Sequence, residues 1–238
     1  MFTNVNASPP GSPRWWRERY QRRLRARGRG LTIERICAAA LAVLDSDGLP
    51  ELTMRRLADE LGTAPASLYR HVTSREELLV EVVDRVLGEL EAPDDTLGWR
   101  DAVEHLARDL RRVLLTHRSA VLVIANSPLL GPNAMRIREL FWRVMDRDGC
   151  DPRFAVQTYF TVVHFVVCSA LFSAGTARHR EATTSGPTGS GLSTLLDVLP
   201  ARQYPTVLKF SEYGDKPDPD YDFDFGLHAL LDGLARSQ

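Results

Sequence analysis

Residues 52–79 read LTMRRLADELGTAPASLYRHVTSREELL. Thr53 precedes a run in which Leu57 and Leu61 recur at the spacing of one helix face, and Gly62 ends it. Pro65 suits the first position of a new helix and no later one, because it has no N–H to donate in a helix interior. Two short helices joined by a tight Gly-containing turn make either a helix-turn-helix or an ordinary helical hairpin, and periodicity alone does not separate them. On the second helix, Leu68 and Val72 share a core with Leu57 and Leu61, which leaves Ala66, Ser67, Tyr69, Arg70 and His71 outward. Small and hydrogen-bonding outward residues suit close approach to base edges and phosphates.

Working outward, LTIERICAAALAVLDSDG predicts a helix over 32–46 with Ile33, Ile36, Ala40, Val43 and Leu44 on one face, Thr32 as N-cap and Gly48 as stop. SREELLVEVVDRVLGEL predicts a helix over 74–90 with Leu78, Leu79, Val82, Val83, Val86 and Leu87 inward, followed by a linker at 91–96. Apolar-periodic helices follow at 98–116, 119–126, 133–147 and 152–176, and a last one carries Phe223, Leu227, Leu230, Leu231 and Leu234 on one face. HREATTSGPTGSG, residues 179–191, reads as a mobile segment. The expected fold class is all-α. A leader and Arg-rich arm occupy 1–30, a three-helix DNA-binding domain 31–75, and a larger helical domain 76–238.

Charge separates along the chain. The formal net charge is -1 for 238 residues, yet residues 14–30 hold eight arginines against the single acid Glu18. Residues 14–75 carry +6 and residues 76–238 carry -7. A basic segment beside a helix-turn-helix gains affinity for DNA through counterion release, and arginines such as Arg25, Arg27 and Arg29 can follow the backbone or enter a minor groove. Trp15, Trp16 and Tyr20 keep a membrane-surface anchor open as an alternative, and a solvated tail is a third reading. The leader, residues 1–13, has neither the basic nor the apolar region of a secretory signal and reads as disordered. Residues 154–177 contain no Asp, Glu, Lys or Arg and reach the length of a membrane span, but Gln157, Thr158, Thr161, His164 and Ser169 interrupt them, so a central buried helix is expected.

The 52–79 stretch resembles the DNA-binding signature of the tetracycline-repressor (TetR) family of bacterial transcription regulators. Leu68-Tyr69-x-His71-Val72, followed by a charged residue and Leu78-Leu79, stands in register with Thr53-x-x-x-Leu57-Ala58 of the preceding helix. The resemblance implies a cytoplasmic, all-helical homodimer that represses transcription from a palindromic operator in double-stranded DNA and releases it on binding a small molecule. Carried over by position, Thr53 contacts phosphate, Arg55 reaches a base edge, and Ser67, Tyr69, Arg70 and His71 lie on the recognition helix. Tyr69 and His71 would act mainly on phosphate, and Arg75 on the DNA backbone. Ala64 departs from the usual capping Ser or Thr, for which Pro65 partly compensates. The helix over 152–176 and the last helix would form a four-helix dimer bundle.

The larger domain is expected to hold an apolar, aromatic-lined cavity built from Leu106, Leu110, Ile124, Phe141, Trp142, Tyr159 and Phe165, with Ser127 and polar anchors among His105, Asn126 and His164. Tetracycline with magnesium is not expected, because Leu90, Leu106, Ile124, Phe141 and Phe172 stand where its polar ligands would be. No cofactor or metal is expected. The three cysteines lack CxxC spacing, and the six histidines are scattered. His164 and Cys168 lie one turn apart without a third group, so catalysis is not expected.

Overall fold

The computed structural model describes residues 8–23, 31–125, 127–183, 196–214 and 218–238, apart from the side chains at 22–23, 176–183 and 212–214. Every regular element among them is helical: α1 (Pro13–Arg23), α2 (Ile33–Asp47), α3 (Met54–Glu60), α4 (Pro65–Leu68), α5 (Arg75–Leu87), α6 (Trp99–Thr116), α7 (Arg118–Ile124), α8 (Pro132–Arg147), α9 (Pro152–Thr183), α10 (Pro205–Gly214) and α11 (Pro219–Ala235). A single 3₁₀ turn, Leu49–Glu51, joins α2 to α3. Arg25, Arg27, Arg29, Asn126 and residues 184–191 of the expected mobile segment lie outside the described residues.

The Thr32 cap and the Gly48 stop that sequence suggested do form, and Thr53 and Ser74 cap α3 and α5 in the same way. Thr32, Thr53 and Ser74 hydroxyls accept from the N–H three residues on, and Gly48 turns the chain at φ 85°. α2 lays Ile36, Ala40, Val43 and Leu44 over α3 and α5, closing the small N-terminal domain. All but three of the thirteen residues of α5 are buried, and this helix is shared by both domains. Each fully buried Leu or Val contributes about 1.5–3 kcal/mol relative to exposure. α9 packs against α6, α7, α8 and α11 through Thr158, Val162, Val166, Ala170 and Ala174, so the stretch that has the length and apolarity of a span is the spine of the bundle.

Three expectations need correction. Residues 13–23, read as part of a free arm, form a helix whose Trp15, Trp16 and Arg19 are buried at 6%, 3% and 6% exposure. Residues 179–183, read as mobile, continue α9. The helix predicted over 74–90 stops at Leu87, where Gly88 caps it and its N–H finds the carbonyls of Asp84 and Arg85. α10 was not anticipated; Pro205 starts it, and its Val207 and Phe210 are exposed rather than patterned toward the core.

One close approach fixes the larger domain on α5. Asp84, 4% exposed, accepts from the N–H groups of Asn133 and Ala134, both at 3.1 Å, and so caps α8 from a neighbouring helix. Gly131 makes room for it, since a Cβ there would stand 2.1 Å from Asp84 Oδ1. Gly131→Ala is expected to eject the carboxylate from its cap and destabilise the fold by about 1–3 kcal/mol, the cost of a buried acceptor left unmet. Urea unfolding measures it, with Gly233→Ala as the control: nothing lies within 4 Å of the new Cβ, and inside α11 the change to Ala is expected to stabilise by up to about 1 kcal/mol, the opposite sign.

Candidate DNA-binding and effector sites

The helix-turn-helix is built from local chemistry. α3 ends where Gly62 takes φ 59°, a left-handed conformation that favours glycine, and the Thr63 N–H closes on the Ala58 carbonyl at 3.0 Å. The chain restarts at Pro65 with Ala64 providing no side-chain cap, and α4 lasts only four residues. Leu68 and Val72 are fully buried and anchor the unit from beneath. Thr53, Arg55, Tyr69 and Arg70 are exposed, while Ser67, His71 and Arg75 are half-buried. Tyr69 caps α4, and Arg70 and His71 fall in the turn after it rather than on the recognition helix proper. Arg75 is partly committed elsewhere: its Nε donates to the Leu52 carbonyl at 2.7 Å and its Nη2 to that of Leu49 at 2.5 Å, tying α5 to the turn before α3.

The cavity of the larger domain is apolar and nearly filled. It is lined by Leu87, Leu110, Ile124, Leu129, Ala134, Ile137, Tyr159, Val163 and Val167, and its free volume is about 10 Å³. That is room for one water-sized sphere. Leu110, Ile124 and Tyr159 are on the wall as expected. Phe141 and Trp142 stand edge-on to Tyr159 at 5.3 and 5.8 Å, one layer behind it, and Leu106 is buried in the same core. Ser127 is turned inward on its own backbone, donating to the Val123 carbonyl at 2.8 Å.

His164, Phe165 and His105 are not pocket residues. His164 and His105 are exposed, and Phe165 stacks on Phe223 of α11 at 5.5 Å. The reason is helical phase. At 3.6 residues per turn, positions 159, 163 and 167 line one face and His164 sits roughly 140° around from Tyr159. Phe172, another position set against the tetracycline ligands, is 79% exposed. Sequence reasoning also missed Arg138, whose guanidinium lies 5.1 Å from the Tyr159 ring centroid and 5.8 Å from that of Trp142 while donating to the Leu129 carbonyl at 3.3 Å. This places a cation stacked on two aromatic rings behind the wall.

Comparison with known proteins adds a family. Residues 36–82 match the model described as bacterial regulatory proteins, tetR family, and residues 92–237 that of the tetracyclin repressor-like C-terminal domain. The chain is 35% identical over 210 residues to the HTH-type transcriptional repressor DrrR1 of Streptomyces coeruleorubidus, covering 86% of this chain and 77% of that protein. It is 32% identical to an HTH-type transcriptional regulator of Saccharopolyspora erythraea, covering 98% and 95%. Among solved structures, the Streptomyces coelicolor TetR family protein ActR in complex with (S)-DNPA superposes with a TM-score of 0.75 at 33% identity, over 89% of this chain and all of that one. These relatives are regulators of transcription, not enzymes.

The two domains are also joined by a polar bridge. His117, between α6 and α7 and 7% exposed, places Nδ1 2.8 Å from Asp45 of α2 and Nε2 2.9 Å from Glu89 just beyond α5. Burial works against the charged ring, but the hydrogen bonds to Glu89 and Asp45 and their charges outweigh it and hold its pKa above the ordinary value. A raised folded-state pKa means the bridge contributes fully below the unfolded value of about 6.5 and fades as pH rises through the folded value. Wild type is therefore expected to exceed His117→Gln in urea stability by most at about pH 5.5 and by progressively less toward about pH 8.5. A gap that stays constant with pH would show that the ring is not charged in the bridge.

Proposed function

Because the chain belongs to the tetR family of bacterial regulatory proteins, we propose that it is a cytoplasmic homodimeric repressor, released from a palindromic operator when an apolar, aromatic small molecule opens the cavity. The observation that carries this reading is α5: it packs on α2, Arg75 at its N-terminal end donates to the carbonyls of Leu49 and Leu52 ahead of α3, and Leu87 at its other end is part of the cavity wall. A ligand larger than a single water has to move that wall, and the helix passes the movement to the DNA-binding unit. That ActR is found with (S)-DNPA bound supports a ligand-responsive reading. Tetracycline with magnesium is disfavoured by the apolar wall, which offers no polar side chain but the Tyr159 hydroxyl.

A second copy is supported by what α9 and α11 leave uncovered. Phe160 and Phe172 on α9 are 42% and 79% exposed, and Tyr221 and Phe225 on α11 are both 67% exposed. Aromatic side chains on two adjacent helices are apolar surface that a dimer bundle would bury. Two helix-turn-helix units would then read half-sites about 34–36 Å apart.

In this proposal Arg55 reads a base, Thr53, Tyr69, His71 and Arg75 hold the DNA backbone, and Ser67 and Arg70 face the duplex beside them. Fluorescence anisotropy with the duplex upstream of the protein's own gene and with a shuffled duplex tests it at several salt concentrations. Arg55→Ala is expected to lose about 1–3 kcal/mol on the native duplex and little on the shuffled one, whereas Tyr69→Phe weakens both alike. Equal losses on the two duplexes for Arg55→Ala would remove its base-reading role. An absence of salt-sensitive binding to either duplex would sink the regulator reading itself.

A further inference from the structure

The arginine-rich N-terminal segment was expected to serve DNA directly, yet its first helix turns its best-placed arginine inward. Arg19 Nη1 donates to the carbonyl of His71 at 3.0 Å and to Glu77 at 3.0 Å, and Nε donates to Glu81. His71 closes the turn directly after the recognition helix. That helix has four residues and no side-chain N-cap, so its own hydrogen bonds hold it weakly and its position has to be fixed from outside.

The other contacts of α1 lie on the opposite domain. Trp15 and Trp16 form a buried cluster with Val80, packed against Tyr20 and Leu130. The Trp16 ring comes so close to the α7–α8 connection that a Cβ on Gly131 would lie 2.8 Å from its Cζ2. Leu129, the neighbour of Leu130 in that connection, is part of the cavity wall. One rigid helix about 16 Å long thus touches the recognition turn, α5 and the segment a ligand must displace.

We propose that α1 is a brace between the effector cavity and the recognition helix, with Arg19 as the residue that positions the recognition turn and Trp16 as the end that follows the 128–131 connection. The basic face of α1 that carries Arg14 and Arg17 is exposed and plays no part in this. The consequence for operator binding rests on the regulator reading above, but the mechanical link does not. α5 and α1 then form two parallel routes from cavity to recognition turn, and Glu77 and Glu81 are where the routes are tied together.

Two full-length variants test the brace. Arg19→Lys keeps a charge beside the carboxylates but loses the fork that also reaches His71; Trp16→Leu keeps an apolar side chain but loses the seat against Gly131. Each is expected to lower affinity for the duplex upstream of the gene about tenfold, with an unchanged salt slope and unchanged binding to a shuffled duplex. Hydrogen exchange in peptides covering residues 68–74 should rise about tenfold in both variants, with peptides from α9 unchanged. A salt slope reduced by about one in Arg19→Lys, with equal losses on both duplexes, would put Arg19 on a phosphate and overturn the proposal. Unchanged exchange at 68–74 in Trp16→Leu overturns it whatever the affinities. If wild type does not prefer its own duplex, the regulator reading fails, and the exchange measurement alone still decides the brace.

Discussion

On α5 the side chains of Glu77, Glu81 and Asp84 are buried at 1%, 2% and 4% exposure, spaced so that all three lie toward one side of the helix. An ionised carboxylate taken out of water costs several kcal/mol unless charges and donors replace the water it loses. Here Glu77 and Glu81 share Arg19 of α1, and Asp84 is met by α8. Glu77 accepts from Thr73 in its own capping turn and from Arg19, Glu81 accepts from Arg19, and Asp84 caps α8. The helix-turn-helix, α1 and the larger domain are therefore obliged to meet on α5 in one register. A rotation of α5 by a single residue would leave three acids unanswered.

That obligation shapes how a ligand can act. The inner side of α5, with Leu78, Val82 and Val86, packs in the main core, and Leu87 reaches the cavity. A helix of thirteen residues is about 20 Å long, and a close-packed interior transmits displacement rather than absorbing it. The cavity has room for no more than a water in this conformation, so a ligand has to favour a second arrangement by its own differential affinity. His117 adds a further tie, because Asp45 belongs to the DNA-binding domain and Glu89 to the segment just past α5. Changing the arrangement means moving α5 against partners fixed by charge, and those partners have discrete positions.

How much of this was legible in the sequence depends on what kind of interaction carries each part. The helix-turn-helix rests on local chemistry, and Thr53, Gly62 and Pro65 state it in a few adjacent residues. The cavity wall was partly legible: Leu110, Ile124 and Tyr159 are there, but His164 and Phe165 were placed by residue type rather than by helical phase, and the phase turns them away. α1 was obscured by its own composition. Trp15, Trp16, Arg19 and Tyr20 follow a short amphipathic pattern, but eight arginines in seventeen residues direct attention to net charge. Nothing in that count says which arginine has a buried partner. The complementary signal lay about sixty residues away, in acids recurring on one side of an otherwise apolar helix.

A charged fork was not the only way to hold α1 in place. Apolar side chains of similar volume often stabilise a buried site as well as an ion cluster does, because they carry no desolvation cost. What they lack is direction. A Leu at position 19 would pack against α5 wherever the recognition turn happened to be, whereas a guanidinium needs the His71 carbonyl and two carboxylates at fixed angles to be satisfied at all. Docking of α1 is thereby made conditional on the geometry of the recognition turn. Once the turn moves, a buried donor loses its acceptor, so the free energy of the cluster depends on that geometry rather than being constant.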